Sequence, residues 1–286
     1  MAKYCVLFNP KSRNKTGGQQ RKKLGQVLAG NELDFTDVTA LPDLRQFLVN
    51  LDPGTRLVLS GGDGTLNRFV NDAGELAVSR PLLYWPAGTG NDFLRDIGRL
   101  GTTEPVEISR YLRNLPAVTV KGMTRKFLNG IGYGIDGYCC EIGDRQVARS
   151  DKPVNYTSIA IKGMLYGYTP TAAVVTVDGV RKEFDKAWLC PTMNGRFIGG
   201  GMMLTPDQDR LADNPKLVSC LVWHGTGRLF TLMAFPTVFK GEHLKYTKNI
   251  EIMRGRNVSV SFDRPTALQI DGETVLDVTE YSVTAN

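Results

Sequence analysis

Residues 60–65, Ser-Gly-Gly-Asp-Gly-Thr, constrain this chain more than any other stretch. An apolar run, Arg56-Leu57-Val58-Leu59, precedes them, and a helical pattern begins near Leu66. Strand, glycine turn and helix N-terminus in that order predict a βα unit whose backbone amides can face an anion such as phosphate. Gly61, Gly62 and Gly64 let the main chain come close to it. Asp63 would repel a phosphate unless a metal lay between them, so the turn predicts a nucleotide together with Mg²⁺. A second turn, Pro86-Ala87-Gly88-Thr89-Gly90-Asn91-Asp92-Phe93, follows the apolar run Leu82-Leu83-Tyr84-Trp85. Two such loops at strand ends make a binding crevice.

Each turn alone also fits an ordinary Gly-Asp-Gly turn or an Asn-Asp helix cap. Taken together, Gly-Gly-Asp-Gly-Thr-Leu-Asn and Pro-Ala-Gly-Thr-Gly-Asn-Asp-Phe resemble the catalytic domain of diacylglycerol kinases and their bacterial lipid-kinase relatives, a group that includes sphingosine and ceramide kinases. The resemblance runs from Asn9-Pro10-Lys11-Ser12 through Asn129 to Asp136 and Gly199-Gly200-Gly201-Met202 to Asp271-Gly272-Glu273.

At 286 residues, 42% hydrophobic and 22% charged, the chain has room for two domains with separate cores. No segment approaches the roughly 18 apolar residues of a membrane-spanning helix. The first residues read as a strand rather than a signal peptide, so a cytoplasmic location is expected. Strands are expected near 4–8, 34–38, 56–60 and 82–85, each followed by a helical pattern such as Leu41-Leu44-Phe47-Leu48, which makes a parallel, Rossmann-like α/β layer. Beyond Leu100 short alternating runs take over, at 117–120, 173–177, 217–222 and 258–262. They predict a mainly antiparallel β domain, with Asp178-Gly179 as a hairpin turn and nothing more. The expected fold class is therefore α/β plus β, divided as 1–120 and 121–286. The resemblance implies that the second domain is a β-sandwich and that catalysis occurs in the cleft between the two.

The five cysteines form neither a disulfide framework nor a zinc spacing and read as buried, reduced thiols. His224 and His243 are too isolated to form a metal cluster. The net charge of +6 favours anionic partners. The basic cluster Lys11, Arg13, Lys15, Arg21, Lys22 and Lys23 has no interleaved aromatic residues, which argues against nucleic acid. Arg21 to Lys23 read as a solvated helix face.

The resemblance implies ATP and Mg²⁺ as cofactors. It makes Asn9, Lys11 and Ser12 nucleotide-side residues and points to Thr39, Thr65, Thr89, Asn91 and Asp92 on the adenosine side. Phosphoryl transfer needs metal ligands and an acceptor for the hydroxyl proton. Asp63 and Asp136 are the metal-side carboxylates, Glu273 is the first choice of base and Asp271 the second. In a strand, Asp271 and Glu273 would share one face. A surface turn with a solvated Glu is the alternative reading of the same residues.

Bacterial relatives carry an acidic-Gly turn that holds a structural metal. Here the stretch reads Arg210-Leu211-Ala212-Asp213-Asn214-Pro215-Lys216. Asp213 keeps the ligand, the turn is altered, and Arg210 and Lys216 could offer carbonyls at most. The expected activity is transfer of the ATP γ-phosphate to a lipid hydroxyl, with diacylglycerol leading. NAD kinase and a nucleotide-binding sensor without activity are the alternatives. The expected partners are ATP, a lipid substrate and a membrane surface touched peripherally, and a homodimer is compatible with the sequence. Residues 229–239 and 156–168 are apolar segments that fit either lipid contact or core helices.

Overall fold

The computed structural model describes residues 1–10, 17–88, 90–150, 154–212 and 214–285. Lys11, Ser12, Arg13, Lys15, Thr89 and Asp213, all singled out above, lie outside the described residues. The chain divides into two compact units, Met1–Arg113 and Asn114–Asn286.

In the first unit the strands are β1 (Lys3–Phe8), β2 (Glu32–Asp37), β3 (Arg56–Gly61), β4 (Leu82–Pro86) and β5 (Val106–Glu107), and the helices are α1 (Gly17–Val27), α2 (Leu44–Asn50), α3 (Asp63–Ala73) and α4 (Asp92–Asp96). The sheet order is β2-β1-β3-β4-β5. The first four strands are parallel, and β5 pairs antiparallel with β4, so the wholly parallel layer expected from sequence acquires an antiparallel edge. With only two residues, β5 left no alternation to read. β1 and β3 are buried almost end to end because the sheet is covered on both faces. One covering layer packs Leu24 of α1 and Leu28 just after it on Tyr4, Val6, Val58 and Trp85. β2 lies on one side of β1 and β3 on the other, so the winding changes direction between β1 and β3. Their carboxyl ends frame the crevice of such a sheet.

The second unit contains β6 (Ala117–Val120), β7 (Met123–Lys126), β8 (Gly130–Tyr133), β9 (Thr171–Val177), β10 (Val180–Ala187), β11 (Thr192–Met193), β12 (Phe197–Ile198), β13 (Met202–Met203), β14 (Val218–Trp223), β15 (Ile250–Gly255), β16 (Asn257–Ile270) and β17 (Glu273–Thr284). Its helices are α5 (Ile135–Arg149), α6 (Tyr156–Lys162) and α7 (Arg228–Ala234). Every strand pairing in it is antiparallel. The long β16 changes partner midway. Val258–Phe262 pair with β9, Leu268–Ile270 pair with β8, and the register against β17 shifts between them. A strand bent at such an irregularity serves two layers. Inside lies a core that includes Ile131, Val175, Val218, Val260, Leu268 and Tyr281. A second core joins α5, α6 and α7 to Trp188, Leu189, Leu221 and Trp223.

Candidate active site

In the first unit, the crevice end of β1 continues into Asn9, whose amide donates to Ser60 O at 3.1 Å. Its side-chain Nδ2 donates to Thr65 Oγ1 at 3.0 Å, which ties the loop after β1 to the first turn of α3. That turn depends on glycine. A Cβ on Gly61 would lie 2.5 Å from Cβ of Thr65. Gly62 caps α3, and the first helical rung runs from Leu66 N to Gly62 O. The amides before Leu66 therefore form the electropositive end of an 11-residue helix.

The second glycine turn closes on the first. A Cβ on Gly88 would come within 2.6 Å of Gly62 Cα, and Ala87 N and Tyr84 Oη both donate to Gly61 O, at 2.8 and 2.9 Å. Asn91 adopts the left-handed conformation, with φ 50°, and its Nδ2 donates to Gly88 O at 3.2 Å. Asp63 Oδ2 accepts from Asp92 N at 2.7 Å and from Phe93 N at 3.4 Å, at the start of α4. Backbone amides thus offset the Asp63 charge. Burial and, after it, the Asp63 charge push the Tyr84 hydroxyl well above its ordinary pKa. Thr39, expected near adenosine, is exposed, and its amide and hydroxyl both donate to Asp37 Oδ1, at 2.8 and 2.7 Å.

In the second unit, Asp136 is buried in the first turn of α5, where its Oδ2 accepts from Gln269 Nε2 at 2.8 Å. Gln269 stands opposite Gly132, and a Cβ on Gly132 would sit 1.7 Å from Asp136 Oδ2. Gly132 thus makes the space into which the carboxylate folds. The glycine turn at 199–201, all with positive φ, passes close by, with Asp136 Oδ1 3.8 Å from the place of a Cβ on Gly199.

Asp271 and Gly272, at φ 46° and 93°, are the two-residue loop of the β16–β17 hairpin, and Glu273 opens β17 opposite Ile270. The expectation that Asp271 and Glu273 project from one strand face is therefore corrected. The Asp-Gly pair took the primed turn that its left-handed tolerance allows, and ended the strand before Asp271. The Asp271 carboxylate is buried and accepts from the amides of Leu128 at 2.5 Å, Asn129 at 2.8 Å and Gly130 at 3.1 Å. Glu273 is more open, and its Oε2 meets Arg125 Nη1 at 2.5 Å. Asp178-Gly179 forms the second Asp-Gly hairpin, and here too the Asp does more than turn the chain. Its carboxylate accepts from Arg256 N and Asn257 N, and these backbone hydrogen bonds hold its pKa below the ordinary value.

Around Asp271 lies a buried polar network that motif reading missed. Arg210 donates to Leu128 O at 3.4 Å and Asn129 Oδ1 at 2.9 Å, and Asn194 Nδ2 donates to Leu128 O at 2.8 Å. Lys216, 2% exposed, donates its ammonium to Arg210 O at 2.5 Å. The Arg210 carbonyl, one of the ligands considered for a structural metal, therefore already holds a cation. A divalent ion on the same oxygen would stand beside the ammonium at low dielectric and be repelled. Of the carbonyls considered for that second metal, the one of Arg210 is thus already engaged. Among them, no three His, Cys, Asp or Glu side chains gather into a metal cluster. Gln269, inside the apolar run Ala267-Leu268-Gln269-Ile270, was an advance signal for the buried Asp136 contact, since a buried polar residue in a strand needs a partner.

Residues 3–122 match the diacylglycerol kinase catalytic domain family, and residues 129–283 match the family described as the YegS C-terminal NAD kinase beta sandwich-like domain. The chain belongs to the diacylglycerol kinase catalytic-domain family of lipid kinases, in its two-domain form with an α/β domain followed by a β-sandwich-like one. Among solved structures it resembles a Bacillus anthracis str. Sterne protein assigned provisionally as a diacylglycerol kinase, at TM-score 0.68 and 20% identity over 99% of this chain and 91% of that one. A diacylglycerol kinase structure from the same organism aligns at TM-score 0.59 and 18% identity, over 99% of this chain and 93% of that one. At such identities the likeness is one of fold. No curated protein matches the chain.

Proposed function

We propose that this protein is an ATP-dependent, Mg²⁺-requiring kinase that transfers the γ-phosphate to the hydroxyl of diacylglycerol. The observation that carries the reading is the closure of the two glycine turns on each other at Gly62 and Gly88, inside the segment that matches the diacylglycerol kinase catalytic domain. The amides that open α3 bind phosphate oxygens, and Asn9, Thr65 and Asn91 order the nucleotide around them. Lys11, Ser12 and Thr89 belong to the same proposal by their place in the motifs.

A magnesium ion suits hard carboxylate oxygens and keeps several waters, so two protein ligands with nucleotide phosphates suffice. Asp63 and Asp136 would hold it, and it would neutralise charge on the phosphates. Glu273 accepts the proton of the attacking hydroxyl, while Asp271 holds the Leu128–Gly130 backbone. Because the acceptor lies in a bilayer, the enzyme works from the cytoplasm as a peripheral visitor to the membrane.

The test is transfer from [γ-³²P]ATP to diacylglycerol in mixed micelles and, in parallel, to NAD, with and without EDTA. Labelled phosphatidic acid that disappears on chelation is expected. Labelled NADP without labelled lipid would replace the reading with an NAD kinase. Absence of transfer to either, with ATP still bound, would replace it with a sensor.

A further inference from the structure

The second unit carries an apolar surface that the chemistry above does not use. α6 with the π-helical turn Gly163–Gly167, and α7 with the 3₁₀ turn Phe235–Lys240, pack on a common core. Ile159, Ala160 and Met164 enter it from the first segment, Ala234 and Val238 from the second. Arg228 ties the two together, donating to Met164 O at 3.0 Å and Tyr168 O at 2.8 Å.

With their inner faces buried in this way, two surface helices ordinarily turn polar side chains outward. These turn out Ile161, Leu165 and Tyr166 from one segment and Leu229, Met233 and Phe239 from the other. Tyr166, Leu229 and Met233 are 69%, 67% and 65% exposed, which leaves most of each side chain in water. The same two segments and the turns after α7 carry Lys162, Arg228, Lys240, Lys245 and Lys248 against a single acid, Glu242.

An apolar patch of this kind marks an interaction site, and its charge selects the partner. A second copy would bring two cationic rims together, which Coulomb repulsion opposes. An anionic lipid surface offers opposite charge to the rim and a hydrocarbon boundary to the centre. We propose that this face docks on an anionic membrane surface, with Leu229 and Met233 of α7 and Tyr166 of the π-helical turn entering the headgroup region. The inference rests on the reading of the acceptor as a membrane lipid and names the surface by which the protein reaches it.

The test compares co-sedimentation of the full chain with phosphatidylcholine vesicles and with vesicles containing phosphatidylglycerol. Wild type is expected to prefer the anionic vesicles and to release as salt rises. Leu229→Ser/Met233→Ser should weaken vesicle binding about tenfold or more, because each exposed apolar side chain adds buried area at the bilayer. Its melting temperature and its turnover of detergent-dispersed short-chain diacylglycerol should stay at wild-type values. Lys240→Glu/Lys245→Glu tests the rim without touching the apolar centre, and should abolish the preference for anionic vesicles.

Unchanged vesicle binding in both double variants would overturn the proposal. So would a wild-type dimer that Leu229→Ser/Met233→Ser dissociates, since the face would then join copies of this chain. If wild type binds vesicles through Leu229 and Met233 yet phosphorylates no lipid, the docking surface stands and the kinase reading falls.

Discussion

Asp271 and Glu273 lie two positions apart and meet opposite environments. Three backbone amides converge on Asp271, whereas Glu273 stands half-open against Arg125. Asp271→Asn would present an NH₂ group to an amide donor and leave buried backbone polar groups short of an acceptor. A stability loss of about 2–4 kcal/mol is expected, given the worth of hydrogen bonds to a charged group. Glu273→Gln should melt like wild type and lower kcat by about 10² to 10⁴, the usual worth of a general base. Denaturant unfolding and steady-state turnover of the two variants check this pair. Equal loss of stability in both, or wild-type turnover of Glu273→Gln, would reverse the division of labour. Burial explains the cysteines in the same way. It pushes Cys5 up to about 11 and Cys139 to about 12, so both thiols are protonated at neutral pH.

At the scale of elements, a buried cation meets the backbone beside the altered turn. In place of an acidic-Gly turn the chain has Asn214-Pro215, and the buried ammonium of Lys216 meets the Arg210 carbonyl. A built-in cation on that oxygen predicts that local stability does not depend on a divalent ion. The nucleotide-free protein should therefore melt at the same temperature in EDTA, Mg²⁺ and Ca²⁺, as measured by differential scanning fluorimetry. Lys216→Met should lower the melting temperature in all three conditions alike. Destabilisation of wild type by EDTA, reversed by either ion, would show that a metal holds this turn after all.

Over the whole molecule the titrating histidines set a slope of stability against pH. The chain has two, and burial lowers the pKa of both His224 and His243 below 6.5. His243 is wholly buried, with Nε2 3.0 Å from Leu204 O. As pH falls below 6.5 the unfolded chain takes up protons that the folded chain resists, so stability is full above 6.5 and is lost as pH falls through the folded values. The melting temperature should decline from pH 7 to pH 5.5, and His243→Gln should flatten that decline whatever its effect on the melting temperature at pH 7. An unchanged slope in His243→Gln would assign the decline to other groups.

The sequence by itself determined what depends on local rules. Apolar runs ending in glycine turns gave the α/β layer and the loops at Gly61–Thr65 and Pro86–Phe93, because strand period, glycine freedom and helix termini are properties of neighbouring residues. The alternating runs beyond Leu100 gave the antiparallel domain for the same reason. Tertiary structure decided which groups meet. That Gly88 needs its missing Cβ on account of Gly62, that Asp63 caps α4, and that Gln269 meets Asp136 follow from contacts between segments far apart in the chain. No window of sequence contains both partners of such a contact. The role of Asp271 turned on the same limit. Its spacing from Glu273 fitted a strand and a turn equally well, and it was the amides of Leu128, Asn129 and Gly130, more than a hundred residues earlier, that held the carboxylate in the turn.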